Sequence, residues 1–303
     1  MKGCYGAVYD FFPVTFSLPN EYVKFVHTYT EDEPKGTWIV KPADLSRGRK
    51  IFILNDIGAL KYDQQSIIQR YVDRPMCLGG FKFDLRLYVF VSSMHPPRVY
   101  MYREGIVRFA TEKYDMSSLE NVYSHLTNAS INKFSPSLHV DKDTIGAGCK
   151  WTLSRLRTFL EEQGVPCRAL WQRMEHIITL TCLILFPVAQ KAPAGFELFG
   201  FDILIDEMLK PWLLEVNSSP ALGIDGAVDE EVKVPLIADT LDMLRIHENP
   251  SRPVPTRPAE KDKEGGAGDA QDQAVGRAAP PRRSATDKGD VPGSAVGRGA
   301  TRR

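Results

Sequence analysis

In the segment FGFDILIDEMLKPWLLEVNSSPAL, Phe199 to Leu222, two acids lie inside apolar runs. Asp202 stands among Phe201, Ile203 and Leu204, and Glu215 precedes Asn217 by two residues. Side chains alternate faces along a strand, so Glu215 and Asn217 share one face while Leu214 and Val216 point to the core. A hairpin turning at Asp206–Lys210 would set Asp202 beside that pair, converging three oxygen ligands. Few hard oxygen ligands, with room left for water and phosphate, suit Mg²⁺ carried with a nucleotide. The plainer alternative ends one strand at Asp202 and starts a loop at Glu215. The cost of burying isolated charge in such apolar strands favours the site.

A second constellation is FKFDLRLYVFV, Phe81 to Val91, where alternation separates Lys82, Asp84, Arg86 and Tyr88 from Phe81, Phe83, Leu85, Leu87 and Val89. This reads either as a solvated strand face with cross-strand ion pairs, or, with Arg108 on a neighbouring strand, as cations gathered around an anionic ligand. In WIVKPADLSRGRKIFIL, Trp38 to Leu54, the loop SRGRK joins two apolar strands. It is either a turn or a phosphate grip built from backbone N–H groups. SHLTNASINK, Ser124 to Lys133, is rich in hydroxyl and amide side chains and by itself reads as a polar loop. The six histidines are scattered, with no legible pairing for nucleophilic catalysis.

The elements that must hold these groups are legible from apolar periodicity. Strands are expected at Trp38–Val40, Ile51–Leu54, Ile67–Val72 and Phe81–Val91. Pro96-Pro97 and Gly105 should turn the chain around Val99–Tyr102 and into Val107–Ala110, and further strands follow at Phe199–Ile205 and Pro211–Val216. Helices are expected at Trp151–Glu162, with Leu153, Leu156 and Leu160 on one face, and at Leu170–Phe186. The mixture predicts an α+β fold. Residues 1–35 hold too few apolar groups for a core of their own, residues 36–248 carry the periodic structure, and residues 249–303 read as a disordered, mildly basic tail.

Composition narrows the class. Of 303 residues, 38 are basic and 38 acidic, so no global field points to nucleic acid. Five scattered cysteines imply a reducing compartment rather than a disulfide framework. The N-terminus shows no secretory signal. The longest apolar run, Ile177 to Ala189, is too short to span a bilayer and reads as a buried helix.

Taken in order, WIVKP, SRGRKIF, IIQRYV, KFDLRLYV, YREGIVRFATEKY, HLTNASINK, GCKWTLSR and FELFGFDILIDEMLKPWLLEVNSSPAL resemble the tubulin tyrosine ligase-like family across about residues 10 to 245. GCKWTLSR and the last block are most similar to a polyglutamylase of that family. The resemblance implies an ATP-grasp fold in which two lobes, about 36–118 and 119–248, sandwich ATP, with residues 1–35 a remnant of an N-terminal domain that precedes FFPVTFSLPNEY. It implies a ligase that uses ATP and Mg²⁺ to add free glutamate to the γ-carboxylates of glutamates in acidic tubulin tails through an acyl phosphate. The expected setting is cytoplasmic and microtubule-associated, with a monomeric protein and no membrane or nucleic-acid partner.

Position by position, the resemblance puts Lys41, Arg47, Gly48, Gln69, Arg70, Tyr71, Val72, Lys82 and Asp84 at ATP, and Thr127 and Asn128 at its phosphates. Asp202, Glu215 and Asn217 become the magnesium ligands. Arg86 and Arg108 fall at the amino-acid or acyl-phosphate site, with Arg108, Ser130 and Lys150 toward glutamate. The family loop reads R-G-x-G-I, whereas here it is Arg47-Gly48-Arg49-Lys50-Ile51. Lys50 adds a side chain where close approach or positive φ is needed. This departure, with the short N-terminus, leaves a second expectation: a family member that binds microtubules without ligating.

Overall fold

The structure is a computed structural model that describes residues 6–33, 35–43, 48–60, 65–146, 148–187 and 195–248. Arg47 and the segment 249–303 lie outside the described residues, so the expectations placed on them are not addressed by it.

Strands β1 (Thr15–Leu18), β2 (Trp38–Pro42), β3 (Phe52–Leu54) and β4 (Ser66–Arg70) form an antiparallel sheet in the order β1-β4-β2-β3. Alternation on β2 explains its two faces. Trp38 and Val40 enter a core with Leu18, Phe25, Leu54 and Ile68, while Ile39 and Lys41 face the opposite way. Helix α1 (Tyr22–Glu31) closes the core side, with the Phe25 ring edge-on to Trp38 at 5.1 Å. The aromatics before residue 35 thus share a core with β2 and β4, and the boundary expected at residue 35 falls inside this layer.

The second sheet contains β5 (Cys77–Leu78), β6 (Phe81–Met94), β7 (Pro97–Phe109), β8 (Lys150–Thr152), β9 (Glu197–Ile205) and β10 (Pro211–Asn217). Its order is β10-β9-β6-β7-β8, with β5 paired to β6. Between β7 and β8 lie two single-turn helices, α2 (Val122–His125) and α3 (Ala129–Asn132). Phe83, Leu85, Leu87, Val89 and Val91 of β6 bury against α4 (Leu153–Glu162) and α5 (Cys167–Leu185). Each such side chain contributes about 1.5–3 kcal/mol. Thr152 caps α4 by accepting from the Arg155 N–H at 3.2 Å. Toward the far end of the other face, α6 (Ala227–Glu248) covers Tyr88 and Ile106 with Val232 and Leu236.

Three expectations are corrected. Gly105 does not turn the chain; β7 runs through it, and a β-carbon there would lie 2.8 Å from the Arg86 carbonyl oxygen. The glycine permits close strand approach rather than reversal. The division near residue 118 also fails, because β6 and β7 pair with β9 and β8 in one sheet. The sheets part in the linker between Arg70 and Cys77, where Tyr71 N–H bonds the Thr37 carbonyl and Met76 N–H bonds that of Ile205. The start of the expected helix at Trp151 is instead the short strand β8. Among the described residues, no helix is long and apolar enough to cross a membrane.

Candidate active site

The charged face of β6 is the floor of the site, and it is buried rather than solvated: Lys82 is 6%, Asp84 3% and Asp202 3% exposed. Strand register arranges the charges in two rows. Asp84 pairs with Arg108 of β7, which pairs with Lys150 of β8. One step along, Arg86 pairs with Asp202 of β9, which pairs with Glu215 of β10.

The second row depends on a β-bulge. Leu213 opposes Ile203, and regular pairing would next oppose Leu214 to Asp202. The register shifts, so Glu215 takes that place. The hairpin pairing expected of Asp202 and Glu215 is therefore present. The alternation expected around it is not: Leu214 lines the cleft with Glu215, and Val216 is exposed.

Arginines lock the two rows together. Arg108 Nε donates to Asp84 Oδ1 at 2.8 Å, and its Nη2 reaches Asp84 Oδ2 and, at 2.9 Å, Asp202 Oδ2. Arg86 clamps Asp202 from its other side, with Nε on Oδ1 and Nη2 at 3.0 Å from Oδ2. Burial alone would raise the Asp202 carboxyl, but Arg108 and Arg86 outweigh it and hold it well below the usual range. Glu215 lacks such partners; burial and the adjacent Asp202 push it up. Asn217 joins the pair, its Nδ2 donating to Glu215 Oε1 at 3.1 Å and to the Gly200 carbonyl at 3.3 Å.

Among the described residues, no three His, Cys, Asp or Glu side chains gather as a metal cage. Two carboxylates and an amide are a sparse oxygen set, as Mg²⁺ uses when other ligands come from water and phosphate. Burial first, and the neighbouring Asp202 second, push Glu215 up, and a divalent cation between the two carboxylates would oppose both effects. The residues fit that ion.

Above this floor, residues of both sheets line an open cleft. Lys41 enters from the first sheet, its Nζ donating to Gln69 Oε1 at 2.9 Å, while Gln69 Nε2 donates to Thr15 Oγ1 at 2.9 Å. Burial lowers the Lys41 pKa, an effect Glu215 and Asp202 offset in part. Ile39, Ile51, Leu204 and Leu214 give apolar walls, the linker residues Arg70, Tyr71 and Val72 an edge, and Thr127 and Asn128 a polar end. Arg70 is itself occupied, pairing with Asp32 and stacking 5.5 Å from the Trp38 ring.

The loop at Gly48 meets the second sheet's segment here. A β-carbon at Gly48 (φ 75°) would lie 2.5 Å from Ile131 Cδ1 and 3.1 Å from Asn128 Oδ1. Lys50 does adopt the left-handed conformation, at φ 56°, so a non-glycine residue sits where glycine is favoured.

Not every expected residue reaches the cleft. Arg86 lies beneath Asp202, and Ser130 is half-buried on α3. Lys150 turns to α6, its Nζ 2.6 Å from buried Asp229, which Lys233 also approaches at 2.7 Å while donating to the Gly223 carbonyl at 2.6 Å. Three residues assigned no role of their own from sequence matter here. Asp229 anchors Lys150. Asn132 is fully buried, accepting from Thr111 N–H and Oγ1 at 3.0 and 2.8 Å and donating to the Leu126 carbonyl at 2.7 Å, which fixes the Thr127 segment. His125 contacts Tyr71 across 54 residues of chain. Its one hint was its place two residues before Thr127.

The tubulin-tyrosine ligase family matches residues 1–255. Similar proteins include Probable tubulin polyglutamylase TTLL2 of Homo sapiens, 47% identical over 253 residues that cover 82% of this chain and 43% of that protein. The Mus musculus protein of the same name is also 47% identical, covering 82% and 47%. Tubulin polyglutamylase TTLL5 of Homo sapiens is 38% identical over 259 residues, covering 81% and 20%. The chain thus spans less than half the length of these relatives. It belongs to the tubulin-tyrosine ligase family.

Proposed function

We propose that this chain is the catalytic part of an ATP- and Mg²⁺-dependent ligase, of ATP-grasp type, that adds glutamate to γ-carboxylates of glutamates in tubulin C-terminal tails. The observation that carries this reading is the buried two-row charge array facing Lys41 across the cleft. The names of the relatives support the tubulin substrate and the glutamate donor. ATP would lie between the sheets, its base against Ile39, Leu204 and Leu214 and its phosphates toward Lys41, Lys82, Thr127 and Asn128.

Asp202, Glu215 and Asn217 would hold Mg²⁺, which supplies charge neutralisation at the phosphates. Arg86 and Arg108 keep Asp202 ionised for that task. A tail γ-carboxylate oxygen attacks the γ-phosphorus of ATP, releasing ADP and forming an acyl phosphate. The neutral amine of free glutamate then attacks the acyl carbon, the C–O bond to phosphate breaks, the amine gives up one proton that leaves with the phosphate, and an isopeptide bond results. The side chains orient and neutralise, and no covalent enzyme intermediate is needed. Free glutamate, itself anionic, would lie toward Arg108, which of the three residues expected near it is the one that lines the cleft. This chemistry assigns the protein to microtubules.

The test is transfer of labelled glutamate to tubulin in the presence of Mg-ATP, with glycine run in parallel. Transfer should be lost in Glu215→Gln, with folding retained. Lys50→Gly should raise stability by about 1–2 kcal/mol, because it removes left-handed strain from the loop. Saturable microtubule binding without any transfer, in both the wild type and Lys50→Gly, would overturn the ligase reading in favour of a binding protein.

A further inference from the structure

We propose that His125 is a positioning residue for nucleotide binding: through the Tyr71 hydroxyl it fixes the Lys82 ammonium in the cleft. This rests on the reading of the cleft as an ATP site. The three side chains are 1%, 5% and 6% exposed, and all line the cleft. They come from three separate pieces of the fold: α2, the linker between the sheets, and β6.

The direction of every bond follows from donor chemistry. His125 Nε2 lies 3.1 Å from the Ser118 carbonyl oxygen, which can only accept, so Nε2 carries the ring proton. Burial and the nearby Lys82 lower the His125 pKa, so the ring is neutral and Nδ1 is an acceptor. The Tyr71 hydroxyl, 2.8 Å from Nδ1, must then donate to it. That leaves the phenolic oxygen to accept from Lys82 Nζ at 2.9 Å. A tyrosine without the histidine acceptor could rotate its proton toward the lysine and repel it.

The relay's surroundings are otherwise aromatic or already paired. Tyr114 stands edge-on to His125 at 5.3 Å, with its ring 5.7 Å from Lys82 Nζ; its hydroxyl donates to the Asp73 carbonyl at 2.8 Å and also interacts with the Tyr71 hydroxyl. Asp84, the nearest acid on β6, is engaged by Arg108. Tyr71 is therefore the group that aims Lys82. A histidine that merely filled the core would serve stability alike with or without Lys82, and this separates the two roles.

The experiment measures affinity for a fluorescent ATP analogue with Mg²⁺ in wild type, His125→Leu, His125→Asn, Tyr71→Phe and Lys82→Met, and in each relay variant combined with Lys82→Met. Circular dichroism and thermal melts check folding. His125→Leu and Tyr71→Phe should each weaken binding about tenfold, as expected for one charge-assisted hydrogen bond. His125→Asn, whose amide oxygen can accept from Tyr71, should stay within about threefold of wild type. In the Lys82→Met background the loss from His125→Leu should vanish. If His125→Leu fails to fold, the same cycle with Tyr71→Phe decides. Undiminished loss in that background, or wild-type affinity in His125→Leu, overturns the proposal alone. No binding by the folded wild type overturns the ATP reading and this inference together.

Discussion

A lysine sealed against Tyr71, Tyr114 and Asp84 cannot hold its proton as it would in water. Burial lowers the Lys82 pKa to about 7, with Asp84 only partly opposing the shift. The sign of the consequence is fixed. Between about pH 7 and 10 the unfolded chain binds a proton at this lysine that the folded chain does not. Stability should therefore rise with pH across that window, by about 2 kcal/mol between pH 7 and 9 relative to Lys82→Met. On the proposed reading of the cleft as an ATP site, affinity for Mg-ATP should move the opposite way, because the ammonium proposed to meet phosphate is lost. Urea denaturation and analogue titration at both pH values check the two trends, and a flat difference between wild type and Lys82→Met would remove the argument.

At the scale of elements, α6 does more than cover Tyr88. Its Asp229 is 1% exposed and pairs with Lys150 of β8 and Lys233 one helical turn away, while Lys233 also ties down the Gly223 loop that follows β10. Burial would raise the Asp229 carboxyl, but the two lysines lower it. Asp229→Asn leaves two ammonium groups facing each other without a counter-charge. Breaking a buried pair in this way should cost about 3–5 kcal/mol, read from chemical denaturation. The double variant Asp229→Asn with Lys233→Met should recover part of that loss, since it removes one of the two unpaired charges.

At the scale of the molecule, the cleft is made by two sheets joined through the linker between Arg70 and Cys77, with the Gly48 loop and the Thr127–Asn128 segment closing one end. A ligand held by both walls stabilises the pair against unfolding. Mg-ATP at a hundredfold excess over its Kd should add about 2.7 kcal/mol by mass action. The gain, seen as an upward shift of the thermal midpoint, should be largely lost in Lys41→Ala, which removes the cation of the opposite wall.

The sequence by itself determined most of the strands, β2, β3, β4, β6, β9 and β10 among them, because apolar runs bounded by turn residues are a local property. It also favoured placing Asp202 and Glu215 on the two strands of one hairpin, since isolated charge is costly to bury in apolar strands. It could not show that Glu215 reaches Asp202 through a bulge at Leu214, that β7 continues through Gly105 with a register shift beside it, or that Arg86 and Lys150 spend their charge on acids rather than on the open cleft. Nor could it join His125 to Tyr71 or Lys150 to Asp229, pairs separated by 54 and 79 residues. Periodicity records which face of an element a residue occupies. Which distant side chain supplies its hydrogen-bond partner is decided by packing, and only the tertiary structure holds that.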